Sequence, residues 1–257
     1  MNPLDPEKTI NECIAFLQQT FAKTKKEIAV IGLSGGVDSS IVFVLTLRAL
    51  GVDHVVPMLL PYGGLGTQGI LDTMELLTSV SFPITRIVRI DIKKAVDALV
   101  IDPSIDNVRR GNMMTRVRMI YLFDQAKKRN GLVVGTENKT EHLLGYYTRF
   151  GDNASDVEPI IHLYKTEVIA LAKHLGVPQS IIAKKPSADL WPGQTDEAEL
   201  GASYEQIDRI LNCFEQGTTS SEDIGKLTGI DTVIVARILH VVSQNIYKQH
   251  TPYKFSY

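Results

Sequence analysis

Several features that define other classes of protein are scarce in this chain of 257 residues. Its two cysteines, Cys13 and Cys213, stand in helix-like stretches without metal-binding or redox spacing, so we expect a reducing compartment. No apolar run reaches the roughly 18 residues that a membrane helix needs, and no signal-peptide pattern begins the chain. The net charge of −2 gives no basic field for nucleic acid. We therefore expect a cytoplasmic protein with no membrane or nucleic-acid partner.

Apolar residues make up 44% of the chain, and their spacing alternates between strand-like and helix-like segments. The strand-like runs cover residues 28–33, 54–60, 84–90 and 132–135. A helical pattern lies between each run and the next, which predicts a parallel sheet covered by helices on both faces. This is a doubly wound α/β fold, which we assign to a single domain over residues 1–257. A helical C-terminal part is predicted at about residues 200–250.

The most informative segment is Ser34-Gly35-Gly36-Val37-Asp38-Ser39-Ser40, which joins the first strand-like run to a helical one. In an α/β protein, backbone N–H groups and a helix N-terminus bind phosphate at this place. The carboxylate of Asp38 would repel phosphate unless a cation lies between them, so the pattern indicates Mg²⁺. The segment lacks the lysine of a Walker A loop. The competing interpretation is a glycine turn whose polar residues only cap the helix.

A second glycine-rich segment, residues 64–69, matches the dinucleotide-binding fingerprint, and Asp91 follows further along the chain. This match comes after the second strand-like run, and Pro61-Tyr62 separate it from that run. A lone glycine fingerprint is weak evidence for a nicotinamide oxidoreductase, so we set that interpretation aside.

The long helical pattern after residue 108 carries two arginines near its start. Arg116 and Arg118 are separated by about 200° around a helix, so they cannot serve one contact. We expect one of them to face a ligand or carboxylate and the other to face solvent or the edge of the core. An amphipathic helix with solvated arginines explains the segment equally well.

The following segments add groups suited to a polar ligand. Thr136 supplies a hydroxyl at the end of the fourth strand, and Glu141 either caps the next helix or joins Asp38 at the cation. Lys165 opens a helix, where the helix dipole disfavours a cation, so an anionic partner such as phosphate is indicated. A polar loop over residues 186–200 contains the only tryptophan and has the length of a functional lid.

The pattern Ser-Gly-Gly-x-Asp-Ser at residues 34–39 is the signature of the ATP pyrophosphatases, which cleave ATP between its α- and β-phosphates. Four other motifs narrow this resemblance, and they are Asn112-x-x-x-Arg-x-Arg-Met119, Gly135-Thr-x-Asn-Lys-x-Glu141, Gly145-Tyr-x-Thr-x-x-Gly-Asp152 and Pro186-Ser-Ala-Asp-Leu-Trp-Pro-Gly-Gln-Thr-Asp-Glu197. Together they resemble the ammonia-dependent NAD synthetases over about residues 8–250, nearly the whole chain.

The resemblance implies an adenine nucleotide α-hydrolase-like fold with a mostly parallel, five-stranded sheet. It also implies a two-step reaction. The carboxylate of deamido-NAD attacks the α-phosphorus of ATP and releases pyrophosphate, and ammonia then converts the adenylate to NAD and AMP. The implied partners are therefore deamido-NAD, ATP and ammonia, with Mg²⁺ as cofactor and a second copy of the chain in a homodimer.

The same resemblance implies roles for individual residues. ATP would contact Gly32, Leu33, Ser34, Gly35, Gly36, Val37, Asp38, Ser39, Thr136, Lys165 and Ser187. Mg²⁺ would be bound by Asp38 and Glu141. Deamido-NAD would contact Arg116, Arg149, Asp156, Tyr247 and Lys248. Asp152 would capture ammonium and take its proton. Two positions depart from the family, which usually has lysine in place of Arg149 and often histidine in place of Tyr247.

Two alternatives stay open at this point. The first is another ATP pyrophosphatase, such as a tRNA-modifying enzyme or the synthetase subunit of an amidotransferase. Thiolation of tRNA typically calls for cysteines near the site, and both cysteines lie far from every motif in sequence. The second is DNA binding, because residues 221–231 and the following helical pattern read like a helix-turn-helix. Residues 231–244 hold Arg237 and one histidine as basic groups, so we interpret this motif as a packing element.

Overall fold

A parallel sheet forms the centre of the protein, described here by a computed structural model that covers residues 4–250, 253 and 255. Within these residues the sheet has four strands in the order β3-β2-β1-β4. The strands are β1 (Ala29–Gly32), β2 (Val55–Leu59), β3 (Val88–Arg89) and β4 (Leu132–Val133). The expected doubly wound α/β fold is confirmed, because all three strand pairs are parallel and helices lie on both faces.

The helices follow the strands in the alternating order that the apolar pattern predicts. They are α1 (Pro6–Thr24), α2 (Val37–Leu50), α3 (Thr67–Ser79), α4 (Lys93–Leu99), α5 (Asn107–Lys128), α6 (Lys139–Leu144), α7 (Lys165–Leu175), α8 (Gln179–Ile182), α9 (Asp196–Leu200), α10 (Tyr204–Glu215), α11 (Ser221–Thr228) and α12 (Thr232–Asn245).

Each face of the sheet has its own apolar core. Side chains of α1, α2, α3 and α7 pack with Ile31 of β1 on one face. Side chains of α4 and α5 pack with Val30 of β1 on the other. Successive strand residues point to opposite faces, which is why neighbouring residues of β1 enter different cores. Both residues are fully buried, as expected for a strand covered on both sides.

The sheet differs from the sequence expectation in two places. The expected fifth strand is reduced to a single parallel bridge between Val134 and Val157. Pro159 follows closely and has no N–H to continue the pairing. The third strand is shorter than the predicted residues 84–90, because Ile84–Arg86 form a 3₁₀ turn after Pro83. The five-strand prediction is therefore corrected to four strands and one bridge within the described part of the chain.

The C-terminal helices form a separate core with α6. Buried apolar side chains from α10, α11 and α12, including Ile207, Ile224 and Ile238, pack together there. The helix-turn-helix pair of α11 and α12 thus packs within the protein, as we interpreted it from sequence. Among the described residues, no helix is both long enough and apolar enough to cross a membrane.

The strand order fixes the location of the site. After β1 the chain moves to β2 and β3 on one side, and it returns to place β4 on the other side of β1. The carboxyl ends of β1 and β4 therefore lie side by side at a topological switch point, where α/β proteins bind ligands. The turn after β1 carries the motif of residues 34–40, and the turn after β4 carries the motif of residues 135–141.

Candidate active site

The turn between β1 and α2 is shaped by hydrogen bonds among its serines and glycines. Ser34 Oγ accepts a hydrogen bond from the backbone N–H of Gly36 at 3.2 Å, and Ser39 Oγ donates to the carbonyl of Gly36 at 3.1 Å. Gly35 has φ +79°, and a Cβ built there would lie 2.4 Å from the carbonyl oxygen of Gly69. Only glycine fits this contact, so the turn packs directly on the first residues of α3.

This turn forms one wall of a cleft of about 300 Å³. Every predicted ATP-binding residue lines the cleft except Gly35, which packs against α3 instead. Glu141 and Asp152 line it as well. The fold therefore brings together motifs that are separated by more than a hundred residues in sequence.

A buried lysine lies between two carboxylates at the base of the cleft. Lys165 Nζ is 2.5 Å from Asp38 Oδ2 and 3.4 Å from Glu141 Oε1, and the lysine side chain is 3% exposed. Asp38 Oδ1 also accepts a hydrogen bond from Asn138 Nδ2 at 2.9 Å. The capping box of Asn138 and Glu141 starts α6, and this box fixes both side chains beside Asp38.

The charges of this cluster depend on one another. Burial raises the pKa of Glu141 to about 8, and the neighbouring charges of Asp38 and Asp196 add to the rise while Lys165 opposes it. Burial alone would lower the pKa of Lys165, but the carboxylates of Asp38 and Glu141 raise it above its usual value. The lysine is therefore a charged ammonium held by acidic partners.

The two carboxylates are suited to a divalent cation. Asp38 and Glu141 already converge on one cationic group, the ammonium of Lys165. Mg²⁺ prefers oxygen ligands and is commonly held by one or two carboxylates together with phosphates and water. In the described ranges no group of three or more histidine, cysteine, aspartate or glutamate side chains is arranged to hold a metal. The other ligands would then come from phosphate and water.

Asp152 faces the cleft from the turn after α6. Its Oδ1 accepts a hydrogen bond from the backbone N–H of Thr148 at 2.7 Å. The side chain is open to solvent within the cleft. Partial desolvation by the protein around it raises the pKa of Asp152 to about 6, and Glu137 adds to this rise while the N–H of Thr148 and the charge of Arg118 oppose it. A carboxylate with such a pKa takes up protons near neutral pH, which is the property of a general base.

Thr136 and Ser187 approach the cleft from different loops. Thr136 lies three residues beyond the end of β4 and lines the cleft. Ser187 belongs to the polar loop before α9, and its Oγ accepts a hydrogen bond from the backbone N–H of Asp189 at 3.1 Å. Lys184 Nζ anchors this loop, because it lies 3.3 Å from Asp72 Oδ2 of α3 and 3.1 Å from Asp189 Oδ2.

The residues predicted to contact deamido-NAD lie outside the cleft, and four of them form one patch. Arg116 is exposed and donates to the backbone carbonyl of Arg149 at 3.2 Å. The guanidinium of Arg149 lies 5.4 Å from the ring centroid of Tyr247 and 5.0 Å from that of Phe150. Lys248 donates to the carbonyl of Gly145 at 2.6 Å. The two positions that depart from the family pattern, 149 and 247, are thus in contact with each other.

Asp156, the fifth residue predicted to contact deamido-NAD, has a backbone partner. Its Oδ2 accepts a hydrogen bond from the backbone N–H of Val133 at 2.8 Å, so the carboxylate caps the end of β4. Its contact with a substrate stays a prediction.

Two residues that line the cleft, Arg118 and Asp196, had no role assigned to them from the sequence. Arg118 lines the cleft and donates to the carbonyl of Leu60 at 3.1 Å, while Arg116 faces outward. The two arginines therefore point to different surroundings, as their spacing predicted, but the spacing left the choice open. Asp196 is buried in the cleft wall and accepts a hydrogen bond from the hydroxyl of Tyr204 at 2.9 Å. In the sequence, Asp196 was marked only by its position within the motif of residues 186–197.

The site as a whole combines a glycine turn, a buried lysine and two carboxylates at the switch point of an α/β sheet, an arrangement typical of enzymes that use nucleotides. Comparison with known proteins narrows the class. A sequence model described as NAD synthase matches residues 9–252. The chain is 43% identical to an NH(3)-dependent NAD(+) synthetase of Chlorobium phaeobacteroides, over 92% of this chain and 84% of that protein. It is 40% identical to one of Methanosarcina acetivorans, over 97% of this chain and 98% of that protein.

Solved structures agree with these relatives. An NMN synthetase from Francisella tularensis superposes with a TM-score of 0.84 at 29% identity, covering 99% of this chain and 100% of that one. An NH3-dependent NAD synthetase from Campylobacter jejuni superposes with a TM-score of 0.82 at 29% identity, with the same coverage. The chain belongs to the NAD synthase family. This membership favours NAD synthetase chemistry over that of a tRNA-modifying ATP pyrophosphatase.

Proposed function

We propose that this protein uses ATP to amidate deamido-NAD with ammonia, which yields NAD, AMP and pyrophosphate. The observation that carries the proposal is the convergence of the glycine turn with the cluster of Asp38, Lys165 and Glu141 in one cleft. Family membership supports the same reaction. A carboxylate is a poor acyl donor, so the enzyme must attach AMP to it before ammonia attacks.

The triphosphate of ATP lies along the glycine turn in this proposal. Backbone N–H groups there and the N-terminus of α2 face the phosphates, and the ammonium of Lys165 adds a positive charge. Mg²⁺, bound by Asp38 and Glu141, would neutralise the phosphate charge as pyrophosphate leaves. Apolar side chains that line the cleft, such as Leu60 and Ile182, suit the flat adenine ring. Thr136 and Ser187 contribute further polar contacts.

Deamido-NAD binds beside ATP and presents its nicotinate carboxylate to the α-phosphorus. The patch of Arg116, Arg149, Tyr247 and Lys248 supplies positive charge and an aromatic ring for a substrate that carries phosphates and rings. This patch is open at the surface in one chain, since Arg116 and Tyr247 are both exposed. A homodimer, in which a second copy covers the patch, completes the proposal.

Asp152 serves the second step. Ammonia attacks as the neutral species, so an ammonium ion must lose a proton at the site. The carboxylate of Asp152 faces the cleft and is close enough to Glu137 and Arg118 for both to affect its pKa. It attracts ammonium and accepts the proton.

A cytoplasmic location stays a prediction from the sequence.

The experiment combines purified protein with Mg-ATP, ammonium and one of two acceptors, deamido-NAD or nicotinate mononucleotide. The second acceptor is included because an NMN synthetase is among the matched structures. Formation of NAD with equal amounts of AMP and pyrophosphate is expected, with deamido-NAD the better acceptor by kcat/KM. The variant Asp38→Ala should form no product. Preference for nicotinate mononucleotide, or ATP cleavage without an amide product, would contradict the substrate assignment.

A further inference from the structure

A glutamate that the reaction scheme does not use, Glu158, lies between the turn that carries Thr136 and the turn that carries Asp152. Glu158 Oε2 accepts a hydrogen bond from the backbone N–H of Glu137 at 3.1 Å. Its Oε1 accepts one from Ser155 Oγ at 2.6 Å. The first partner belongs to the turn after β4, which carries Thr136, and the second belongs to the turn that carries Asp152. A single carboxyl group therefore joins both turns.

The backbone at Gly135 packs closely against the carboxyl group of Glu158. A Cβ added to Gly135 would lie 1.8 Å from Glu158 Oε1, so the carboxyl group fills the space that any other side chain at position 135 would need. The backbone N–H of Gly135 also donates to the carbonyl of Val157 at 2.8 Å. The turn after β4 can approach the segment of Glu158 this closely only because residue 135 is glycine.

The surroundings of Glu158 are acidic. Burial raises the pKa of Glu158 to about 8, and the charges of Glu137 and Asp152 add to the rise while the hydrogen bond from Ser155 opposes it. The basic groups in this region are close to Glu137 and Asp152, and within the described part of the chain none of them forms an ion pair with Glu158 itself. His142 Nδ1 lies 2.9 Å from Glu137 Oε1, and the charges of Arg118 and Lys248 act on Asp152. Glu158 is thus neutral around pH 7 and charged around pH 9.

We propose that Glu158 is a positioning residue for the ammonia step, which holds the turn of Thr136 against the turn of Asp152 and, when ionised, strengthens the attraction of Asp152 for ammonium. The carboxyl group does not touch the reacting atoms and acts through Asp152. This inference rests on the proposed function. The consequence is that KM for ammonium depends on whether the carboxyl group of Glu158 is ionised.

The test compares KM for total ammonium in the wild type and in Glu158→Gln from pH 7 to pH 9. Glutamine keeps both contacts, because its carbonyl accepts from the N–H of Glu137 and its amide donates to Ser155 Oγ, but it cannot ionise. The variant-to-wild-type ratio of KM is expected near one at pH 7. It should rise about fivefold by pH 9, as expected for the loss of a nearby unit charge in a partly screened site. Using a ratio cancels the ionisation of ammonium itself.

Three measurements make the result specific. KM for ATP should not change in Glu158→Gln, because glutamine keeps both hydrogen bonds and so leaves the turn of Thr136 in place. The surface variant Glu205→Gln removes the same charge from α10 and should leave the ratio at one at every pH. Ser155→Ala removes a hydrogen bond that lowers the pKa of Glu158, so in that background the rise should occur at a higher pH.

The outcomes separate this inference from the proposed function. Absence of NAD with the wild type at any pH would reject the proposed function itself. A wild type that makes NAD, together with a ratio that stays constant with pH, would overturn the role of Glu158. So would an equal increase in KM for ATP and for ammonium, because that is the signature of a structural loss alone. A rise that keeps its midpoint in Ser155→Ala would also contradict it.

Discussion

Replacement of Lys165 by methionine tests the charge balance at the base of the cleft. The lysine is 3% exposed, and its Nζ lies 2.5 Å from Asp38 Oδ2 and 3.4 Å from Glu141 Oε1. Methionine preserves most of the side-chain volume while it removes the charge. The carboxylate of Asp38, 17% exposed, then stands in the protein without its cation.

The expected loss of stability follows from burial. Removal of one partner of a buried ion pair costs about 3–5 kcal/mol, because the other charge is left uncompensated. Asp38 keeps its hydrogen bond from Asn138 at 2.9 Å, and Glu141 can hold a proton, so we take the lower end of this range. Each kcal/mol lowers the Tm of a chain of this size by about 2–4 °C. We therefore expect the Tm of Lys165→Met to fall by about 6–12 °C without Mg²⁺.

Thermal unfolding followed by circular dichroism measures this change, with and without Mg²⁺. The matched control is Lys173→Met, an exposed lysine of the same helix, which should change the free energy of unfolding by at most about 0.5 kcal/mol. Added Mg²⁺ should raise the Tm of Lys165→Met more than that of the wild type, because the ion binds the carboxylates that lost their partner. A Tm equal to that of the control, or equal Mg²⁺ effects on both proteins, would refute the reasoning.

Three further predictions concern the turn and the general base. Gly35→Ala should lower the Tm more than Gly176→Ala does. Both residues have positive φ, but only at position 35 would the new Cβ meet the backbone of Gly69, so an equal decrease in Tm would disprove that contact. The rate of NAD formation should fall below about pH 6 as Asp152 takes up a proton, and Asp152→Asn should lose both this limb and about 10²–10⁴-fold in kcat. Arg118→Met should move the acid limb of the pH–rate profile to higher pH, because Arg118 lowers the pKa of Asp152; an unmoved limb would count against their proximity.

Local sequence signals were enough to predict much of the fold. The start of α1 has such a local signal, since the helix begins at Pro6 and Asp5 Oδ1 accepts a hydrogen bond from the N–H of Lys8 at 3.1 Å. The change from a buried apolar run to a glycine turn predicted the junction of β1 and α2. These features depend on neighbouring residues, so one sequence contains the information needed to locate them.

The side-chain directions in the site were less predictable, because packing between distant segments sets them. Helical spacing gave the angle between Arg116 and Arg118, but the position of α5 on the sheet decides that Arg118 enters the cleft. The hydrogen bond from Asn138 to Asp38 joins residues that are 100 positions apart, and no local pattern indicated it. The resemblance to a family supplied most of the site residues, and their contacts with substrates stay predictions.

The account depends most on one claim, that this cleft attaches AMP to a carboxylate before ammonia enters the reaction. Exchange of labelled pyrophosphate into ATP tests that claim directly. In the presence of Mg²⁺, ATP and deamido-NAD but without ammonium, the wild type should incorporate label into ATP, and Asp38→Ala should not. Absence of exchange by a wild type that still forms NAD, or release of ADP and phosphate in place of AMP and pyrophosphate, would contradict it.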